Sequence, residues 1–127
     1  MDITISGAGE RRTILDAADR GRVLRVRKRA IVALRHLAIV RGNTSLHGGG
    51  ILNRGTLTLT DSLVLHNRSA DVDRQDGLGG GILNRGTMTL TSSVVRDSSA
   101  HAAGGTRDAT SSVTGNTPDD CYGTDAC

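Results

Sequence analysis

The sequence has one Tyr, no Phe and no Trp among its 127 residues, with a single Pro and two Cys. Aromatic rings supply much of the buried area of an ordinary compact core. Without them, the core has to come from small aliphatic side chains in narrow, regular layers. The same lack removes the stacking platforms on which single-stranded nucleic acids bind. No apolar run approaches the ~18 residues needed to cross a bilayer. The two thiols, Cys121 and Cys127, have no His or further Cys near them at metal-ligand spacing, which argues against zinc. A short disulfide, with the oxidising compartment it implies, is the first reading, and two free thiols the second.

What the chain does have is 17 Gly and patterned Val, Ile and Leu, which fit many tight turns joined by regular segments. The length allows one domain spanning residues 1–127, with 117–127 as a C-terminal tail. Charge is uneven. Residues 1–43 carry ten Arg or Lys against four acids, whereas residues 44–127 carry six against nine. A nucleic-acid binder would concentrate its basic residues further, so nucleic acid is not an expected partner. The opening "MDITISGAGE" reads as strand rather than export signal, so the chain reads either as a piece of a longer exported protein, the first reading, or as an exported chain without its signal.

The most informative feature is a repeat. "GGGILNRGTLTLT" begins at Gly48 and "GGGILNRGTMTLT" at Gly79, and they differ only at Leu57 and Met88. Repeats at periods of 20–50 residues indicate stacked architectures. "AIVALRHLAIVRGN" (30–43) carries the same apolar pattern upstream, with one extra residue expected near its end, and "TSSVTGN" (110–116) is a shortened echo downstream. The spacings of 25 and then 31 imply stacked turns with loops of variable length.

Within each copy the apolar period is two, the mark of a strand with one face in and one out. Aligned copies give columns: Val32, Leu57 and Met88; Leu34, Leu59 and Leu90; Ile39, Val64 and Val95; Ile51 and Ile82. Such side chains would stack about 4.8 Å apart in a continuous core. Asn53 and Asn84 form a further column, and an Asn amide can both donate to and accept from its neighbour in a ladder. Thr58 and Thr60 align with Thr89 and Thr91 on the outer face. The expected fold is an all-β, single-stranded parallel β-helix (solenoid) of about four to five coils, whose open end edges invite end-to-end self-association.

"ITISGAGERRTILDA", "VALRHLAIVRGN", the two "GGGILNRGT" segments and "SVTGNTPDDCYG" together resemble right-handed parallel β-helix proteins of the pectate-lyase-like superfamily. More narrowly, they are similar to exported repeat proteins of bacterial surfaces, including polymorphic outer-membrane proteins. The resemblance covers nearly the whole chain. It implies the fold and an extracellular or cell-surface setting, but the fold hosts lyases, hydrolases, adhesins and stalks alike. Members usually carry more coils and an N-terminal cap. The lyases among them use acidic calcium ligands with a basic proton acceptor.

Three candidate constellations follow. Asp71, Asp73 and Asp76, in the loop that lengthens the 31-residue coil, are the best oxygen ligands for calcium; no other cofactor is expected. Arg54 and Arg85 share one repeat position and should project from adjacent coils, where they could clamp the carboxylates of an acidic polysaccharide or contact a surface partner. His36, Asp61 and Ser92 align, as do Arg41, His66 and Asp97, but side chains projecting side by side do not make a nucleophile, base and oxyanion site. The leading expectation is therefore a non-catalytic stalk or glycan- or partner-binding surface, with no catalytic residues assigned. The alternative is a fragment of a polysaccharide lyase or glycoside hydrolase.

Overall fold

The structure, a computed structural model, describes residues 1–69 and 79–100 and the strands at 106–107, 111–114 and 121–122. The first turn holds β1 (Asp2–Ser6), β2 (Ile14–Asp16) and β3 (Leu24–Val26). The second holds β4 (Ile31–Arg35), β5 (Ala38–Val40), β6 (Asn43–Thr44) and β7 (Ile51–Asn53). The third repeats it with β8 (Thr56–Thr60), β9 (Leu63–Leu65), β10 (Arg68–Ser69) and β11 (Ile82–Asn84). The fourth follows with β12 (Thr87–Thr91), β13 (Val94–Arg96), β14 (Ser99–Ala100) and β15 (Thr106–Arg107). β16 (Ser111–Thr114) and β17 (Cys121–Tyr122) come last.

Every pairing is parallel, and strands pair across turns rather than with their chain neighbours. Sheet I runs β1-β4-β8-β12-β16 and sheet II runs β2-β5-β9-β13; sheet III is β6-β10-β14 and sheet IV is β3-β7-β11-β15-β17. The chain is thus an all-β parallel β-solenoid. Among the described residues, three turns contribute a strand to all four sheets, with β1, β2 and β3 before them and β16 and β17 after them.

The register reproduces the repeat columns. Val32 pairs with Leu57 and Leu57 with Met88; Leu34, Leu59 and Leu90 stack likewise. Ile39, Val64 and Val95 form the third column, and Ile51 over Ile82 the fourth. All of these side chains are buried in one core running through the turns. One expectation needs correction. No extra residue is accommodated near Asn43, because Asn43 pairs with Arg68 at the same offset of 25 that relates Ile31 to Thr56.

Alternation alone would turn Leu52 and Leu83 outward, yet both are buried, like every residue of β7 and β11. Polar columns line the inside of the bends. Ser62 hydrogen-bonds back to Thr60 O at 2.8 Å and accepts from Leu37 N, while Ser93 accepts from Ser62 N at 3.2 Å. Asn67 accepts from Gly42 N at 2.8 Å, donates to Ile39 O at 3.1 Å, and gives its own amide to Ser98 Oγ. Each buried polar side chain thereby satisfies a backbone group left over where a strand ends, the condition for burying such groups without penalty.

Candidate functional site

The repeated "NRGT" builds the seam between sheets IV and I. Asn53 and Asn84 are buried, and Asn53 donates to Asn84 Oδ1 at 2.7 Å and to Thr87 O at 2.9 Å. Their carbonyl oxygens also accept from Gly55 N and Gly86 N, closing the bend locally. The glycines that follow are close-approach positions. A Cβ on Gly86 would lie 2.1 Å from Gly55 O, and one on Gly55 would lie 2.3 Å from Ala30 O. Between a locked Asn and a locked Gly, the intervening Arg54 and Arg85 are held in adjacent turns, each donating its backbone amide to the turn before, to Val26 O and Asn53 O.

Arg54 and Arg85 line one cavity of about 350 Å³, and Lys28 is its third lining residue. Arg27 follows Val26 as Arg54 follows Asn53, in the same register. The first-turn bend, however, is two residues longer, and that insertion brings Lys28 to the cavity. A repeat alignment has no column for an inserted residue, so the sequence could not place it there. No ion pair among the described residues involves Lys28, Arg54 or Arg85.

Further positive charge stands close by. Arg22 is half-buried and donates from Nε to Gly48 O at 2.9 Å and from Nη2 to His47 O at 2.7 Å, tying the bend before β7 to the first turn. Burial first, then repulsion from Arg25 and Arg54, push its pKa down from the usual guanidinium range. The first-turn end of the seam is thus crowded with cations, an arrangement that destabilises the isolated protein and favours an anionic ligand.

The two histidine columns have a conformational explanation. His36, Asp61 and Ser92 all have positive φ, at 54°, 46° and 47°, and so do Arg41, His66 and Asp97, at 51°, 53° and 50°. These are the left-handed residues that turn the chain from sheet I to sheet II and from sheet II to sheet III. Asn, Asp and His tolerate that region better than most residues. His36 Nδ1 lies 3.7 Å from Asp61 Oδ2, with both side chains about half exposed. In the second column, Asp97 pairs with neighbouring Arg96 at 3.0 Å and Arg41 turns to Asp16.

Arg41 and Asp16 form a two-point guanidinium–carboxylate pair across adjacent turns, with Nε donating to Oδ1 at 2.9 Å and Nη2 to Oδ2. The Arg41 side chain, then the Ala18 amide, hold Asp16 below its ordinary pKa. Sequence reading missed this pair, although its separation of 25 residues is the spacing of the repeat.

Asp71, Asp73 and Asp76 lie outside the described residues, as does any bond between Cys121 and Cys127. Among the described residues, no group of three or more His, Cys, Asp or Glu is placed to hold a metal ion. No family model matches the chain, nor does any curated protein or solved structure match it.

Proposed function

We propose that this chain is a non-catalytic β-solenoid module that binds an acidic polysaccharide at the seam between sheets IV and I. One observation carries the reading: Lys28, Arg54 and Arg85, from three successive turns, line a single cavity and have no carboxylate partner among the described residues. Cations facing a shared cavity repel one another, and an anionic ligand removes that cost. Guanidinium groups match carboxylate or sulfate groups through paired hydrogen bonds, and a sugar chain brings such groups without needing aromatic stacking.

The repeat words favour the right-handed β-helix of pectate-lyase-like proteins, and the exported surface proteins they resemble place such modules outside the cell. Within that setting the module serves as a stalk carrying a binding surface.

Isothermal titration with linear acidic polysaccharides tests the proposal, with a neutral polysaccharide as control. Binding should be confined to the acidic chains and should weaken with added salt. Arg54→Ala should reduce it about tenfold or more, equivalent to about 1.4 kcal/mol. Equal binding of neutral and acidic chains, or full affinity in the Arg54→Ala variant, overturns it. An unsaturated product absorbing in the ultraviolet would show a lyase instead.

A further inference from the structure

The positive residues of the seam do more than collect charge, because the spacing of its two arginines is set by the backbone. Arg54 and Arg85 stand one turn apart in a parallel register, and Lys28, on the longer bend of the turn before, sits outside that register but lines the same cavity. Parallel strands repeat at about 4.8 Å, so the backbone anchors of the two arginines stand about 4.8 Å apart along the solenoid axis. Each arginine is fixed from both sides. The preceding Asn belongs to the 2.7 Å side-chain ladder, and the following Gly lies so close to the turn before that no Cβ fits. Little ordering of the backbone is then left for a ligand to impose, the condition under which charge spacing becomes a selectivity device.

We infer that the seam reads its ligand by register: an extended anionic chain lies along the solenoid axis, with successive acidic groups meeting Lys28, Arg54 and Arg85, one per turn. This rests on the acidic-polysaccharide reading and adds to it a direction, a minimum length and a charge spacing. The ligand class is a linear glycan with one carboxylate or sulfate on each successive sugar, rather than a compact ion with the same charge. The two arginines grip through paired donors. Lys28 supplies a point charge at the end where Arg22 and Arg25 add to the field.

A series of linear uronic-acid oligomers, from monomer upwards, tests the inference by calorimetry on the intact chain. Affinity should climb steeply to the trimer and then level off. Arg85→Ala should bring the break forward to the dimer and lower trimer affinity about tenfold or more. Arg54→Ala removes the middle contact and should weaken the trimer more than Arg85→Ala does. Circular dichroism on both variants separates lost binding from lost folding.

A compact cyclic polyphosphate of matching charge is the spacing control. If it binds as tightly as the trimer, or if affinity rises with length without a break, reading by register is wrong while acidic-glycan binding stands. If no acidic chain binds at all, both fall together.

Discussion

Asn53 and Asn84, 31 residues apart in sequence, are joined by a buried side-chain hydrogen bond of 2.7 Å that ties one turn of the solenoid to the next. Asn53 also serves Thr87 O and Gly55 N, so a single side chain satisfies three groups. Asn53→Ala removes the partner of the buried Asn84 Oδ1 and of the part-buried Thr87 O and Gly55 N. Each unsatisfied buried group costs about 1–3 kcal/mol, so the variant should lose at least ~2 kcal/mol in urea denaturation. Thr58→Ala, on the outer face of sheet I, should stay within about 0.5 kcal/mol of the parent. Similar losses for the two variants would show that the ladder contributes nothing special.

Glycine content alone does not say which glycines matter, but the geometry separates them. A Cβ at Gly86 would overlap Gly55 O at 2.1 Å, whereas one at Gly21 would meet nothing within 4 Å. The obstacle at Gly86 is backbone in the adjacent turn and cannot rotate away. Gly86→Ala should therefore separate the turns and lower the thermal midpoint sharply. Gly21→Ala should be neutral or slightly stabilising, because it mainly restricts the unfolded chain. Thermal melts of the two variants give the comparison, and equal midpoints would contradict the packing described here.

These two cases show how much of the molecule could be read in advance. Where the copies are word-for-word alike, the sequence predicts the core: Leu59 over Leu90 and Asn53 over Asn84 follow from period and offset alone. Where the copies differ in length, inference stops. Lys28 joins Arg54 and Arg85 only because its bend is two residues longer. The alignment could pair the two arginines but not find the third cation. Leu52 and Leu83 show a second limit, since alternation fixes the direction of a side chain but not what covers it. The bends show a third. His36, Asp61 and Ser92 line up in sequence as catalytic residue types, but what they share is a left-handed backbone, and φ is invisible to a composition-based reading.

That shared backbone makes its own prediction. At φ 47°, Ser92 sits where a β-branched residue is disfavoured and a glycine is at ease. Ser92→Val should cost about 1–2 kcal/mol, while Ser92→Gly should be neutral or mildly stabilising. Denaturant midpoints measured on the two variants decide between a conformational role and a chemical one. A conformational role orders the variants by tolerance of positive φ. A dependence on the hydroxyl would make both equally harmful.

The Asp16–Arg41 pair predicts a dependence on pH. Arg41 holds the Asp16 carboxyl below its ordinary pKa in the folded state, so the folded protein binds this proton less readily than the unfolded chain. The resulting stabilisation is fully present above the ordinary aspartate pKa. It is lost as pH falls through the lowered folded value. Asp16→Asn removes the charge without changing the shape, so its stability deficit should be largest near neutrality and shrink towards strongly acidic pH. The pair is solvent-exposed, so added salt should shrink the deficit too. Urea midpoints for parent and variant across the acidic range measure this directly. A deficit that stays constant with pH and salt would mean that the contact acts through packing rather than charge.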